Sequence, residues 1–277
     1  MDKKSIVQIG ENEANDLIEL INDYSGYDFS DYSFPSLLRR FQRYMDNNNV
    51  DDIEILHQEL QQNSSVLNHL IEEITVNVTE MFRDPLFFLT LNNEVLPLLK
   101  KLSHIKIWHA GCSSGEEAYS MAILLKENDL LDKSIIYATD INQAILEKAR
   151  KGIFDLEIMK TYAYNYKESE AKKDFQSYFH IKDGAARINS DINEKIIFSA
   201  HNLVSEGVFN QFDLIICRNV LIYFNKSLQN NVFETFYKSL SDKGILAIGS
   251  KETLNFSSIE NKMEVLNAKW KIWRKKA

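Results

Sequence analysis

The sequence predicts a doubly wound α/β sheet, preceded by a small all-α domain and carrying a small β insertion. Three observations carry the prediction. From residue 105 onward, short apolar runs bounded by turn residues alternate with helical periods, the pattern of βαβ units. One of these runs, Ile105–Ala110, stops at Gly111; Gly115 follows and a helical pattern opens at Glu116. Strand, glycine turn and helix start form a crevice where backbone N–H groups approach a ligand. Residues 1–75, by contrast, show only helical spacing.

Composition bounds the reading. With 277 residues, 44% hydrophobic and 26% charged, the chain can build a sizeable core and is not disordered. Nine Gly and three Pro argue against a loop-rich protein, and no repeat is visible. Two cysteines, Cys112 and Cys217, make no disulfide framework. The start of the chain leads into no apolar signal segment, and no run reaches the roughly 18 apolar residues of a membrane helix. A soluble, cytoplasmic protein with reduced thiols is therefore expected. The net charge of −8 argues against nucleic-acid binding. The charge is uneven: residues 1–78 hold five bases and fifteen acids, leaving 27 bases and 25 acids for the rest.

In chain order, Ala14, Leu17, Ile18 and Ile21 mark a first helix over 11–24. Ser33-Phe-Pro35 reads as a helix start with a capping Ser. The helix it opens has Leu37, Leu38, Phe41, Tyr44 and Met45 within an arc of about 120°. Arg39, Arg40 and Arg43 cluster opposite, on one exposed face. That face is either plainly solvated or a docking surface for an acidic partner. Residues 51–60 and 64–74 are two more helices. The polar and aromatic stretch 77–85 is a linker, followed by a helix over 86–101 that Pro97 ends or bends. Strands are expected at 105–110, 134–140, 196–200, 212–217 and 244–249, with helices at 116–127, 142–151 and 226–240. Between 155 and 192 the pattern gives a helix and then a strand pair near 178–181 and 186–192. Residues 264–273 close the sheet with a hairpin strand.

The glycine turn and Asp140 belong together. Asp140 ends the second strand, where an acid hydrogen-bonds ribose hydroxyls. A dinucleotide needs G-x-G-x-x-G with its pyrophosphate on the helix N-terminus. Here the turn is Gly111-Cys-Ser-Ser-Gly115 and the helix opens with Glu116-Glu117. Two carboxylates repel a pyrophosphate and suit a cationic nucleoside such as S-adenosyl-L-methionine. They also suit the helix dipole, which is the plainer explanation of their place.

At these residues the sequence resembles the chemotaxis receptor methyltransferases, the CheR family of S-adenosylmethionine-dependent protein-glutamate O-methyltransferases. The resemblance spans nearly the whole chain and rests on several motifs in order. Residues 77–84, Asn-Val-Thr-Glu-Met-Phe-Arg-Asp, match an N-x-T-x-F-F-R-D stretch with Met81 in place of an aromatic. Residues 108–119 match the cofactor loop, with Ala118 where Pro is common. Residues 138–141, 201–203 and 217–224 match three further motifs.

The resemblance implies a Rossmann-like sheet, a helical domain over 1–75, a linker over 76–90 that contributes to the cofactor site, and a catalytic domain over 91–277 with a β-subdomain at about 178–192. It implies that Asn77, Thr79 and Arg83 line the cofactor, with Gly111 in its turn. Glu117 would take the methionine amino group, Asp140 the ribose, Asn202 and Leu203 the adenine, and Arg218 and Asn219 the methionyl end. Arg83 and Tyr223 would orient the substrate carboxylate. S-adenosyl-L-homocysteine would be the product. It favours Arg39, Arg40 and Arg43 as a dock for the helical bundle of a chemoreceptor, a methyl-accepting chemotaxis protein. Some members hold a receptor-tail peptide on the β-subdomain; the turn at residues 182–184 is shorter here.

Plainer roles exist: Tyr223 as core, Arg218 as a strand end, Arg83 and Asp84 as a local ion pair. No metal-ligand spacing appears among His and Cys, so no metal is expected, and a monomer is expected because no unaccounted apolar stripe stands out. An NAD-dependent oxidoreductase is disfavoured by the missing third glycine and the two glutamates. A nucleic-acid N-methyltransferase is expected to carry Pro-Pro-aromatic where this chain has Arg218-Asn-Val-Leu-Ile-Tyr223. A catalytically idle S-adenosylmethionine-binding module, and a methyltransferase for a signalling protein outside chemotaxis, are the alternatives.

Overall fold

A computed structural model describes residues 9–75 and 78–276. The chain divides into two compact units, residues 1–77 with 222–229, and residues 78–221 with 230–277.

The first unit holds four helices, α1 (Glu11–Ser25), α2 (Phe34–Asn48), α3 (Ile53–Gln62) and α4 (Ser64–Ile74). Local chemistry sets their ends. The Gly10 N–H donates to the Glu13 carboxylate at 2.6 Å, and α1 stops at Gly26 in the left-handed region. Asp52 and Asn63 accept from the amides of Glu54 and Ser65 and so cap α3 and α4. Ser33 stands at the start of α2, but its side chain makes no capping bond. The apolar stripes meet in a core that includes Leu17, Ile21, Phe29, Phe41, Leu56 and Leu70. The expected arginine face needs a correction. Arg39 and Arg43 are exposed, whereas the Arg40 side chain is only 12% exposed and lies 3.8 Å from Glu73. On the helical wheel Arg40 lies only about 40° from Tyr44, at the margin of the apolar arc. Arg43 also pairs with Glu73, at 3.0 Å.

Residues 222–229 belong to this unit although they lie far along the chain. The Ser33 N–H donates to the Tyr223 carbonyl at 2.7 Å, and the Asn225 N–H donates to the Asp31 carbonyl at 2.9 Å. The Tyr32 and Phe224 rings meet edge to face at 5.0 Å.

The second unit begins with α5 (Pro85–Thr90), a π-helical turn (Leu91–Val95) and α6 (Leu96–Leu99). Pro97 lacks an N–H and its ring would strike the carbonyl four residues back. The wider π turn absorbs that misfit, and the helix expected over 86–101, which Pro97 was to end or bend, forms as three pieces. There follow β1 (Ile105–Ala110), α7 (Glu116–Glu127), β2 (Ser134–Asp140), α8 (Gln143–Lys151), β3 (Ile153–Asp155), α9 (Leu156–Glu168), β4 (Phe179–Lys182), β5 (Ala185–Ile188), α10 (Ser190–Asn193), β6 (Ile196–Ala200), β7 (Phe212–Cys217), α11 (Lys226–Ser239), β8 (Leu240–Ile248), β9 (Met263–Asn267) and β10 (Ile272–Lys275).

The main sheet has the order β6-β2-β1-β7-β8-β10-β9. Its first five strands are parallel, and β10 runs antiparallel to both of its neighbours, β8 and β9. Helices alternate with the parallel strands, so the doubly wound α/β class holds. The small sheet has the order β3-β5-β4, one strand more than the sequence pattern gave. A three-residue strand leaves no alternation to read. Residues 190–193 form a helical turn, so the strand expected to reach Ile192 ends at Ile188. Asp183 and Gly184, both at positive φ, make the tight two-residue turn between β4 and β5.

Candidate active site

The order of the main sheet reverses between β1 and β7. The carboxyl ends of strands at such a reversal are where open α/β sheets bind ligands. The turn after β1 is tied down by backbone bonds. Gly111 and Cys112 N–H groups both donate to the Thr139 carbonyl, at 2.8 and 2.9 Å. Gly111 has φ +74°, and a Cβ there would come within 2.4 Å of the Val220 side chain. Only glycine satisfies both conditions.

Asp140, at the end of β2, is 8% exposed. Its two oxygens accept from the N–H groups of Ser113 at 2.8 Å and Asn142 at 3.0 Å. Burial pushes its pKa above the usual carboxylate range, and the N–H groups of Asn142, Ser113 and Ile141 pull it part of the way back. Beside it, the Ser113 hydroxyl is buried with no hydrogen-bond partner among the described residues. The His201 N–H donates to the Asp140 carbonyl at 3.2 Å, which sets the half-buried Asn202 and Leu203 just beyond the same strand end.

The two glutamates of α7 diverge. Glu116 turns inward, accepts from the Ser114 hydroxyl at 2.7 Å and the Tyr162 hydroxyl at 3.3 Å, and is 6% exposed. Burial raises its pKa. A pair of free carboxylates facing one ligand is therefore not what forms. Glu117 alone faces the crevice, its side chain 18% exposed. His109 lies 3.1 Å from Oε1, and the Arg218 Nη1 donates to Oε2 at 2.9 Å. Burial pushes the Glu117 pKa up, but the His109 hydrogen bond and the Arg218 charge outweigh it and hold the group below the ordinary range.

Arg218, at the end of β7, has a side chain only 2% exposed. Its other amino group pairs with Asp84, its Nη1 also reaches the Arg83 carbonyl at 3.4 Å, and its guanidinium lies 4.0 Å from the centroid of Phe87. It pins residues 83–87 to the sheet, and its charge is balanced within the protein. Asp84 thus pairs with Arg218 and not with its neighbour Arg83. Arg83 is half-buried, donates from Nη1 to the Val78 carbonyl at 3.0 Å and has no carboxylate partner among the described residues. Thr79 lies half-buried in the same segment. Asn77 lies outside the described residues. Asn219 follows Arg218 in the left-handed region, φ +61°.

Two residues absent from the sequence reading belong to this region. His109 is a polar residue among the apolar buried positions of β1, a signal that was legible. Glu252, 6% exposed, accepts from the N–H groups of Val220 and Gly249 and so ties the turns after β7 and β8 together. Nothing local in the sequence marks it. Tyr223, in the helical unit, is half-buried. Cys112 and Cys217 are buried, and burial followed by nearby carboxylates drives both thiol pKa values well up, so neither is a nucleophile.

Comparison with known proteins fits this geometry. A family model described as CheR methyltransferase, SAM binding domain, matches residues 77–272, and one described as CheR methyltransferase, all-alpha domain, matches residues 12–75. The chain belongs to the CheR methyltransferase family. A relative from Pseudomonas putida, named for a methyltransferase Cher3, is 41% identical over 259 residues, 94% of this chain and 95% of its own. The chemotaxis protein methyltransferase of Borreliella burgdorferi is 35% identical over 204 residues, 68% of each chain. That of Salmonella typhimurium is 30% identical over 251 residues, 88% of this chain and 83% of its own.

S-adenosylmethionine is the cofactor of this CheR chain, and the crevice suits it. A buried carboxylate at a strand end, an unpartnered buried hydroxyl beside it and a second carboxylate at a helix start are acceptors for hydroxyls and an ammonium. No helix among the described residues is long and apolar enough to cross a membrane.

Proposed function

We propose that this chain methylates glutamate side chains on the cytoplasmic helices of a chemoreceptor, a methyl-accepting chemotaxis protein, giving glutamate methyl esters that adjust receptor signalling. Bound S-adenosylmethionine supplies an electrophilic methyl group on a sulfonium. Glu117 holds the methionine ammonium, and Asp140 with the Ser113 hydroxyl takes the ribose. Asn202 and Leu203 lie along the adenine. Asn219 and the pinned Arg218 shape the methionyl end, and Thr79 lies along the wall; the role expected of Asn77 falls outside the described residues.

The observation that carries the acceptor's chemistry is Arg83. It is a cation without a carboxylate partner among the described residues, next to an aspartate already committed to Arg218. A substrate glutamate is ionised near neutral pH, so it needs no general base. What it needs is placement in line with the methyl and exclusion of water. Arg83 holds its oxygens without protonating it. The protonated cysteines fit a site with no nucleophile of its own. The names of the relatives support chemotaxis as the setting, and the exposed Arg39 and Arg43, with Arg40 behind them, form the dock for an acidic helical bundle. The work is that of a cytoplasmic monomer, with residues 1–75 as the docking domain and residues 76–90 as the linker that completes the cofactor site.

The test is transfer of label from radiolabelled S-adenosylmethionine to receptor cytoplasmic fragments. The label is expected to leave as methanol in mild base. A base-stable product would refute ester formation. Arg83→Ala is expected to abolish transfer while only weakening cofactor binding, and full activity in that variant removes Arg83 from the mechanism.

A further inference from the structure

His109 is the polar residue that the first strand of the sheet has no packing reason to contain. Its strand neighbours Ile107, Trp108 and Ala110 are buried, and it sits in register between Ala138 of β2 and Ile216 of β7. The imidazole is 1% exposed, and its Nε2 has no partner among the described residues. Leaving a buried ring nitrogen unsatisfied costs stability that leucine or valine would not lose. The other ring nitrogen faces the start of α7, with Nδ1 3.1 Å from Glu117 Oε1.

Glu117 is held on both sides. Arg218 donates to Oε2 at 2.9 Å while His109 addresses Oε1. With one donor on each oxygen the carboxylate plane cannot rotate freely, and each oxygen keeps a lone pair. Glu117 is an acceptor only, since its environment favours the ionised form, so the proton between the two groups resides on His109 Nδ1. The arrangement matches the way buried partners fix the aim of a binding carboxylate before the ligand arrives. We infer that His109 is a positioning residue for cofactor capture: its Nδ1–H aims the Glu117 carboxylate at the ammonium of S-adenosylmethionine. The inference rests on the reading of Glu117 as the partner of that ammonium.

The experiment is calorimetric binding of S-adenosylhomocysteine, which keeps the ammonium, to the full chain. Asparagine places an amide N–H near the position of Nδ1; glutamine places it near Nε2. His109→Asn is expected to bind within about threefold of the parent. His109→Gln and His109→Leu are each expected to weaken binding about tenfold, the worth of one hydrogen bond to a charged group. In a Glu117→Gln background the His109→Leu change is expected to add nothing. The Asn and Gln variants are both polar and of similar bulk, so they carry the comparison if the Leu variant fails to fold. Equal losses in His109→Asn and His109→Gln, or a loss that adds fully to that of Glu117→Gln, mean mere packing and overturn the inference. Parent-like binding in His109→Gln alongside weakened binding in Glu117→Gln overturns it while leaving the reading of Glu117 intact. Parent-like binding in Glu117→Gln overturns that reading and this inference with it.

Discussion

Replacing Arg218 by methionine keeps most of the buried hydrocarbon and removes the charge. The structure sets the size of the effect. The side chain is 2% exposed and answers two carboxylates. Breaking a buried pair by deleting one partner costs about 3–5 kcal/mol, because the other charge stays behind. The two arms are not equal. Asp84 is 42% exposed, so its loss resembles that of a surface pair, about 0–1 kcal/mol. Glu117 is 18% exposed and keeps His109, which softens its loss. The stacking on Phe87 adds about 0.5–2 kcal/mol. A net loss of about 3–4 kcal/mol follows for the second unit. At about 2–4 °C per kcal/mol for a unit of this size, the melting temperature should fall by roughly 6–16 °C. Arg218→Lys keeps one charge but loses the fork, and should lie about halfway. Urea titration of both variants, with Glu117→Gln in a double-mutant cycle, measures this directly. A coupling between residues 218 and 117 of about 0.5–3 kcal/mol is expected for groups in one network. A loss under about 1 kcal/mol in Arg218→Met would refute the argument that the residue is a buried pin.

Asp140→Asn keeps the size but can accept at one oxygen only, so S-adenosylmethionine binding should weaken by at least about tenfold, measured by calorimetry, while a stable fold is retained. Arg39→Glu with Arg43→Glu, sparing the half-buried Arg40, should raise the KM for receptor fragments severalfold with kcat and cofactor affinity unchanged; unaltered KM would sink the docking surface. The pH dependence has a definite sign. Because Glu117 titrates below its unfolded value, its contribution to stability is present above that value, about 4.3, and is lost as pH falls through the folded one. The stability gap between the parent and Glu117→Gln, followed by thermal melts, should therefore be flat near neutrality and close on acidification.

Much of the candidate crevice was legible because its signals are local. Gly111 and Gly115 punctuate a strand and a helix, and Asp140 ends an apolar run. Both are consequences of backbone geometry that a few residues impose. The ion-pair network was not legible. Arg218 and Asp84 stand 134 positions apart, and no local pattern links them. Glu252 was hidden too: it joins two turns through backbone N–H groups, one of them 32 positions away, and carries no periodic mark. Glu116 and Glu117 looked alike in sequence. Successive helix positions differ by about 100°, and that rotation sends one to Tyr162 and the other to Arg218. Pro97 announced a disturbance but not its form, since a kink, a stop and a π turn all relieve the same clash. The three residues of β3 were too few to show an alternation.

The pairing of residues 31–33 with 223–225 bears on how such proteins can be recombined. An exchange of the first 75 residues between relatives would carry Asp31, Tyr32 and Ser33 into a chain whose Tyr223, Phe224 and Asn225 were selected beside another partner. The loop between α1 and α2 and the stretch that opens α11 are therefore one piece in the fold though split along the chain. A chimera respecting only the linear boundary would leave the Phe224 ring and the Asn225 amide without their counterparts, and substitutions in one stretch should be answered in the other.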